Sequence, residues 1–179
     1  MKSIKRALGM LVLGLVAGSA HAGLLGQTVN VQYLFPDSST VWNGNSTNVV
    51  VGAGTEISGF PVGDPRTNVD LSDSNINFTY NSSSSWSSMS FNGVHFFDVL
   101  AAIDAITGVT INGATNMSGF DASRITFDAD NIWVNWQGLP FNTQTVVSLD
   151  VQFGRVPEPA SLALMGIGLA GLAYRRRKA

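Results

Sequence analysis

The sequence predicts an all-β fold: an antiparallel β-sandwich, jelly-roll-like, with one short helix. An N-terminal signal peptide and a C-terminal hydrophobic helix frame it. Three observations carry this prediction. Apolar and polar residues alternate with period two through the middle of the chain, as strands buried on one face do. Turn dipeptides separate those runs at short intervals. The two long uncharged apolar stretches, 7–18 and 160–174, lie at the ends of the chain.

Residues 1–22 read MKSIKRALGMLVLGLVAGSAHA. Lys2, Lys5 and Arg6 precede an uncharged stretch over 7–18, and Ala20 and Ala22 stand two apart. A basic start, a short apolar core and small residues at that spacing are what signal peptidase reads. Cleavage is expected between Ala22 and Gly23. The apolar stretch falls short of the roughly 20 residues that span a membrane.

Removing the two ends leaves residues 23–154, enough chain for one hydrophobic core and too little for two. In this stretch 55 of 132 residues are Ser, Thr, Asn or Gly. Aromatic and β-branched residues nevertheless recur evenly enough to fill a core. Val29, Val31 and Tyr33 alternate with Thr28, Asn30 and Gln32; Ile76, Phe78 and Tyr80 alternate with Asn75, Asn77 and Thr79. Val147, Leu149, Val151 and Phe153 alternate with Ser148, Asp150 and Gln152. Further strands are expected over 48–51, 56–60, 69–71, 87–91, 109–112, 124–128 and 131–136. Asn43-Gly44, Asp64-Pro65, Asn92-Gly93 and Asn112-Gly113 mark turns between them. Ten or so short strands of this kind argue for a sandwich or jelly roll.

Two stretches break the rhythm. In residues 98–108 an Ala/Leu/Ile run lies between Asp98, in N-cap position, and Gly108, in stop position, which predicts the short helix. Ser82, Ser83, Ser84, Ser85, Ser87 and Ser88 surround Trp86 and predict a mobile loop.

Composition excludes several kinds of function. The chain has no cysteine, so disulfide scaffolds, thiolate zinc sites and thiol nucleophiles are ruled out. Residues 23–154 carry eleven Asp and Glu against only Arg66 and Arg124, a net charge of −9. Such a domain has no basic footprint for nucleic acid. His95 is the only histidine beyond the signal segment, which removes any two-histidine relay or His-rich metal site. Its setting, Val94-His95-Phe96-Phe97, reads as a surface or hydrogen-bonded structural position. No Gly-x-Ser-x-Gly elbow supports a serine nucleophile. Glu56 is the sole glutamate of the domain, so no carboxylate pair for glycoside hydrolysis can be assigned. The expectation is a domain with no catalytic residues and no cofactor.

Calcium is the one metal the composition admits. Asp121, Asp128, Asp130, Asn131 and Asp150 offer the oxygen ligands it takes, although Asp128-x-Asp130 lacks the loop of an EF-hand. The four tryptophans carry a binding hypothesis. Trp133 and Trp136 are three apart, so on a strand they face opposite sides, and one of them should lie outside the core. Trp42 and Trp86 sit in polar contexts. Trp42, Trp86, Trp133 and Trp136 are therefore the candidate platforms for stacking on sugar rings, which would make the domain a carbohydrate-binding module; the alternative is that all four are core or loop-packing residues.

The C-terminal segment reads VPEPASLALMGIGLAGLAYRRRKA. Pro157 and Pro159 interrupt any preceding strand and isolate the apolar segment beyond them. The fifteen residues 160–174 reach about 22 Å as a helix, against a hydrocarbon core of roughly 30 Å. Snorkelling by Arg175, Arg176, Arg177 and Lys178 covers the difference and holds that end in the cytoplasm. Behind a cleaved signal, residues 23–154 then lie across the inner membrane.

Val156-Pro157-Glu158-Pro159-Ala160, the short Gly/Leu/Ala-rich helix and the Arg175, Arg176, Arg177 cluster together resemble the PEP-CTERM sorting signal of Gram-negative bacteria. The same segment is sometimes labelled an ice-binding protein C-terminal domain, a name that implies no ice binding. The resemblance covers some 24 residues and all three parts in order. It implies that an exosortase, an integral-membrane cysteine protease, recognises the tail and removes it. It also implies a transient stay in the inner membrane and delivery to the cell surface or exopolysaccharide matrix. A plain single-pass anchor is the alternative, and it differs in whether 160–174 survives in the mature protein.

Overall fold

In the computed structural model of this chain, residues 23–154 are described. The signal segment with Ala20 and Ala22, and the 155–179 tail with its sorting motif, lie outside the described residues. The strands are β1 (Thr28–Leu34), β2 (Val41–Val50), β3 (Thr55–Phe60), β4 (Thr67–Leu71), β5 (Asn75–Tyr80) and β6 (Ser84–Ser85). Next come β7 (Gly93–Asp98), β8 (Ile106–Ile111), β9 (Ile125–Phe127), β10 (Asn131–Asn135), β11 (Pro140–Phe141) and β12 (Val146–Phe153).

Two five-stranded sheets form a sandwich. Sheet A has the order β2-β1-β7-β10-β9, and sheet B has the order β3-β4-β5-β12-β8. All of their strand pairs are antiparallel. The period-two pattern explains why they close on each other. Val29, Val31 and Tyr33 of β1, Val94 and Phe96 of β7, and Ile132 and Val134 of β10 are buried. They meet Val69 and Leu71 of β4, Ile76, Phe78 and Tyr80 of β5, and Val147, Leu149 and Val151 of β12 in one core. Phe78 and Phe96 touch across the two layers with ring centroids 5.9 Å apart. Burying each such side chain stabilises the fold by about 1.5–3 kcal/mol, which is what drives the layers together.

The short helix expected at 98–108 is not formed. Asp98 does cap a turn, accepting from Leu100 N at 3.0 Å and Ile103 N at 2.8 Å. The chain then bends and enters β8, with Gly108 inside the strand rather than at a helix stop. Two facts explain the failure. Val99 and Leu100 are exposed, so the run has no single apolar face to bury. Ala101 takes a left-handed φ of 50°, which no right-handed helix accommodates. Among the described residues the one helical element is a 3₁₀ turn, Ala122–Arg124, capped by the Asp121 side chain.

Three smaller expectations also change. Asn43-Gly44 is not a hairpin turn but lies inside β2, with both residues at positive φ (47° and 68°). Their left-handed preference makes a bulge: β1 pairs Gln32 with Ser46 and Leu34 with Val41, so Tyr33 alone faces four residues. Residues 87–91 form no strand; Met89 is exposed and Phe91 N bonds to Pro36 O at 3.0 Å. Asn92-Gly93 opens β7 instead of turning. A Cβ on Gly93 would collide with Val134 O, so only glycine lets β7 approach β10 there.

Candidate functional site: two aromatic clefts

The first cleft is built on the outer face of sheet A. Register places Ser46, Gln32, His95, Trp133 and Thr126 in one row across all five strands. Alternation points their side chains away from the core, because Val94, Phe96, Ile132 and Val134 take the inward positions. A chain of polar contacts runs along this face. Asn30 Nδ2 donates to Asn48 Oδ1 (2.6 Å), Ser46 Oγ donates to Asn30 Oδ1 (3.1 Å), and Gln32 Nε2 donates to Ser46 Oγ (3.3 Å). His95 Nδ1 meets Gln32 Oε1 at 3.2 Å, and its Nε2 meets Asn131 Oδ1 at 2.9 Å. Asn131 Nδ2 in turn donates to Asp128 Oδ1 at 2.8 Å.

Aromatic rings interrupt that polar chain. The His95 ring lies parallel to Trp133 at a centroid distance of 4.5 Å, and Phe97 flanks it at 5.2 Å. Partial burial holds the His95 imidazole below its ordinary pKa, against weaker upward pulls from the Asn131 hydrogen bond and the Asp128 charge. The histidine is thus a stacked, hydrogen-bonded member of the face. Trp133 also lines an open cleft of about 380 Å³ with Arg124, Ser123, Thr126, Asn135 and Phe91. The 3₁₀ turn brings Arg124 there, and its Nη1 donates to Gln137 O at 2.8 Å.

The second cleft, about 170 Å³, opens where the β2 bulge meets the β6–β11 ribbon, and Tyr33, Trp42, Asp64, Arg66, Trp86 and Asn92 line it. Asn45 fastens the bulge: its Nδ2 donates to Trp42 O (2.9 Å) and its Oδ1 accepts from Val62 N (2.6 Å). That sets Trp42 edge-on to Tyr33 at 5.9 Å. The Tyr33 hydroxyl donates to Asn92 Oδ1. Burial, and then the Asp64 carboxylate, push its pKa well above the phenol value, so it stays a donor. Arg66 Nε pairs with Asp64 Oδ1 at 2.5 Å, and its Nη1 donates to Ser84 Oγ at 2.9 Å.

The structure divides the four candidate tryptophans. Trp136 is 0 % exposed and Trp86 4 %, stacked on each other at 5.2 Å in the core, so neither offers an open platform. Trp86 sits in the serine run but is held by backbone bonds with Leu139 O and Gly138 N, and Ser84–Ser85 pair with Pro140–Phe141. The indole N–H groups of both, and the Tyr80 hydroxyl, find no hydrogen-bond partner, so the side chains of the cluster are held by ring packing. Trp42 and Trp133 are half-buried, each at one of the two clefts. Arg124 escaped the sequence reading as a site residue. Its one signal was scarcity, as one of two cations in residues 23–154.

The acidic side chains are dispersed. Asp121 caps the 3₁₀ turn, Asp128 accepts from Asp130 N and Asn131 Nδ2, and Asp150 accepts from Asn75 and Asn112 on the opposite sheet. Among the described residues no group of three His, Asp or Glu is placed to hold a metal ion.

As a class, then, residues 23–154 form an acidic antiparallel β-sandwich with aromatic clefts on one outer face and one end. The tail supplies the destination: residues 155–178 match the PEP-CTERM protein-sorting motif. That motif marks an exported protein, made as a membrane-anchored precursor and processed by an exosortase membrane protein. Neither a curated protein nor a solved structure matches the chain.

Proposed function

We propose that this chain is a non-catalytic surface or extracellular-matrix protein whose β-sandwich works within exopolysaccharide. The observation that carries the proposal is the sorting motif at 155–178 joined to a domain of net charge −9. The test is processing in the native host. Exported protein should begin at Gly23 and appear at the surface or in the matrix without Arg175, Arg176, Arg177 and Lys178. Replacing both Pro157 and Pro159 by Ala leaves the apolar helix intact, so insertion should persist while uncleaved precursor accumulates in the inner membrane. Deleting residues 160–179 should release the domain into the periplasm. Wild-type protein found at steady state in the inner membrane with its arginines attached would make the chain a single-pass anchored β-domain instead.

A second reading, a carbohydrate-binding module, is favoured by Trp133. A large aromatic held half-open on a sheet face, beside hydroxyl and amide groups, suits a sugar ring with its apolar face and polar edge. Retention of the full-length protein on an insoluble polysaccharide, lost in Trp133→Ala, tests it.

A further inference from the structure

The two clefts share a composition, a tryptophan beside an arginine, and differ in what the arginine does. In the end cleft Arg66 is neutralised by Asp64 at 2.5 Å and further engaged by Ser84. In the sheet A cleft, Arg124 has no carboxylate within ion-pair distance among the described residues. Its Nη1 is anchored to a neutral carbonyl, Gln137 O. The nearby Asp121 turns Oδ1 to Ser123, accepting from its N at 2.9 Å and its Oγ at 2.6 Å. A guanidinium carries five N–H donors in a fixed fork, and one anchoring bond leaves most of them for a ligand. Among the described residues one positive group thus stands without an ion pair, within the longer-range field of Asp121, beside an open tryptophan in a domain of net charge −9.

From this we infer that the Trp133–Arg124 cleft binds an acidic sugar, a uronate residue of a polysaccharide chain. The inference rests on the carbohydrate-binding reading and names its ligand class and its recognition. His95 stacks parallel on Trp133 at 4.5 Å, and the tryptophan also lines the cleft, where a pyranose stacks on it. A uronate differs from a neutral hexose by a carboxylate at the ring edge, and the Arg124 fork matches a carboxylate bidentately. Ser123, Thr126 and Asn135 line the same cleft and offer partners to ring hydroxyls. The volume of about 380 Å³ lies within the range of small-ligand sites. The surrounding negative charge disfavours acidic polymers that lack a ring to stack, so specificity comes from Trp133 and Arg124 acting together.

The test is titration of the full-length protein in detergent with uronate hexamers, neutral hexamers of matched linkage, and poly-glutamate. Uronate hexamers should bind about tenfold more tightly than neutral ones, with the advantage shrinking as salt rises. Arg124→Gln should remove that tenfold preference and leave neutral binding unchanged, while Arg66→Gln should change neither. Trp133→Ala should abolish both, and Trp133→Phe should restore part of each, which separates loss of the platform from misfolding. If neutral and acidic hexamers bind equally and both depend on Trp133, the uronate inference falls and the carbohydrate reading stands. If no hexamer binds the wild-type protein, both fall. Poly-glutamate binding as tightly as uronate would overturn the inference by showing that charge alone suffices.

Discussion

Sheet B covers its outer face with amides, hydroxyls and carboxylates, whereas sheet A interrupts the same polar scheme with a stripe of rings. On sheet B, Asn75 Nδ2 donates to Asp150 Oδ1 (2.9 Å) and Ser148 Oγ (3.0 Å), and Asn112 Nδ2 donates to both Asp150 oxygens. Asn68 and Asn81 exchange amide bonds at 2.9 and 3.1 Å. Short polar side chains bridge the strands on this face. Sheet A begins the same way, with Asn30, Ser46, Asn48 and Gln32, and then sets Phe97, His95 and Trp133 side by side. Sheet B forms without such a stripe, so the rings on sheet A are the feature that the proposed recognition at the adjoining cleft would account for.

The comparison is most sharply tested on a single strand and its continuation. Trp136 points inward, packed against Trp86 and Phe78 at 5.2 and 5.0 Å, while Trp133 points outward. Trp136→Ala should cost about 3–5 kcal/mol by leaving a cavity between the sheets. Trp133→Ala should cost about 1 kcal/mol, the scale of a lost aromatic pair, while abolishing polysaccharide retention. Denaturant unfolding of both variants reads the difference. Equal destabilisation would mean that the stripe is structural and the contrast between the faces is empty.

A smaller effect is expected on sheet B. Asp150→Ala removes the side-chain acceptor that Asn112 Nδ2 has among the described residues, while Asn75 Nδ2 keeps Ser148 Oγ. Stability should fall by about 1 kcal/mol, the scale of a lost hydrogen bond. Polysaccharide retention should not change. A loss of retention in this variant would place recognition on both faces.

The difference between the faces was partly legible in the sequence. Alternation in 75–80 and 147–153 is strict, so inward and outward residues of β5 and β12 could be assigned from period alone. The spacing of Trp133 and Trp136 likewise put them on opposite sides. Left-handed and long-range features were harder to read. Asn43-Gly44 has the backbone preference of a hairpin turn, and only the pairing of β1 with both flanking segments makes it a bulge. Residues 98–108 carry helix capping chemistry, but the pairing of β8 with β12 claims Ile106–Ile111 for sheet B. Trp86 looks polar from its serine neighbours because most of the rings that bury it, Trp136 and Phe141 among them, are some fifty residues away. Arg124 reaches Trp133 through the pairing of β9 with β10, a register that period-two patterning does not encode.

The weakest effect separates the faces by pH. Sheet A holds the histidine, with Gln32 on one ring nitrogen, Asn131 on the other and the Asp128 charge behind Asn131. Burial lowers its pKa in the folded state, so the fold favours the neutral ring. The unfolded chain therefore binds the proton more readily, and stability must rise with pH wherever it does so. The His95 contribution is fully present above the unfolded value of about 6.5 and is lost as pH falls through the lower folded value. The carboxylates move in a separate window: hydrogen bonds from Ser39 to Asp37, from Ser123 to Asp121 and from Asn131 to Asp128 lower their pKa values. Their contribution is present above the ordinary value of about 4 and is lost only as pH drops below it. Thermal midpoints of wild type should thus begin to decline as pH falls below about 6.5, with a separate decline below about pH 4. His95→Gln keeps an amide that bonds Asn131 but does not titrate, and should flatten the upper limb while leaving the lower one. A His95→Gln protein that still declines as pH falls from about 6.5 toward the carboxylate range would remove the histidine from the account of sheet A.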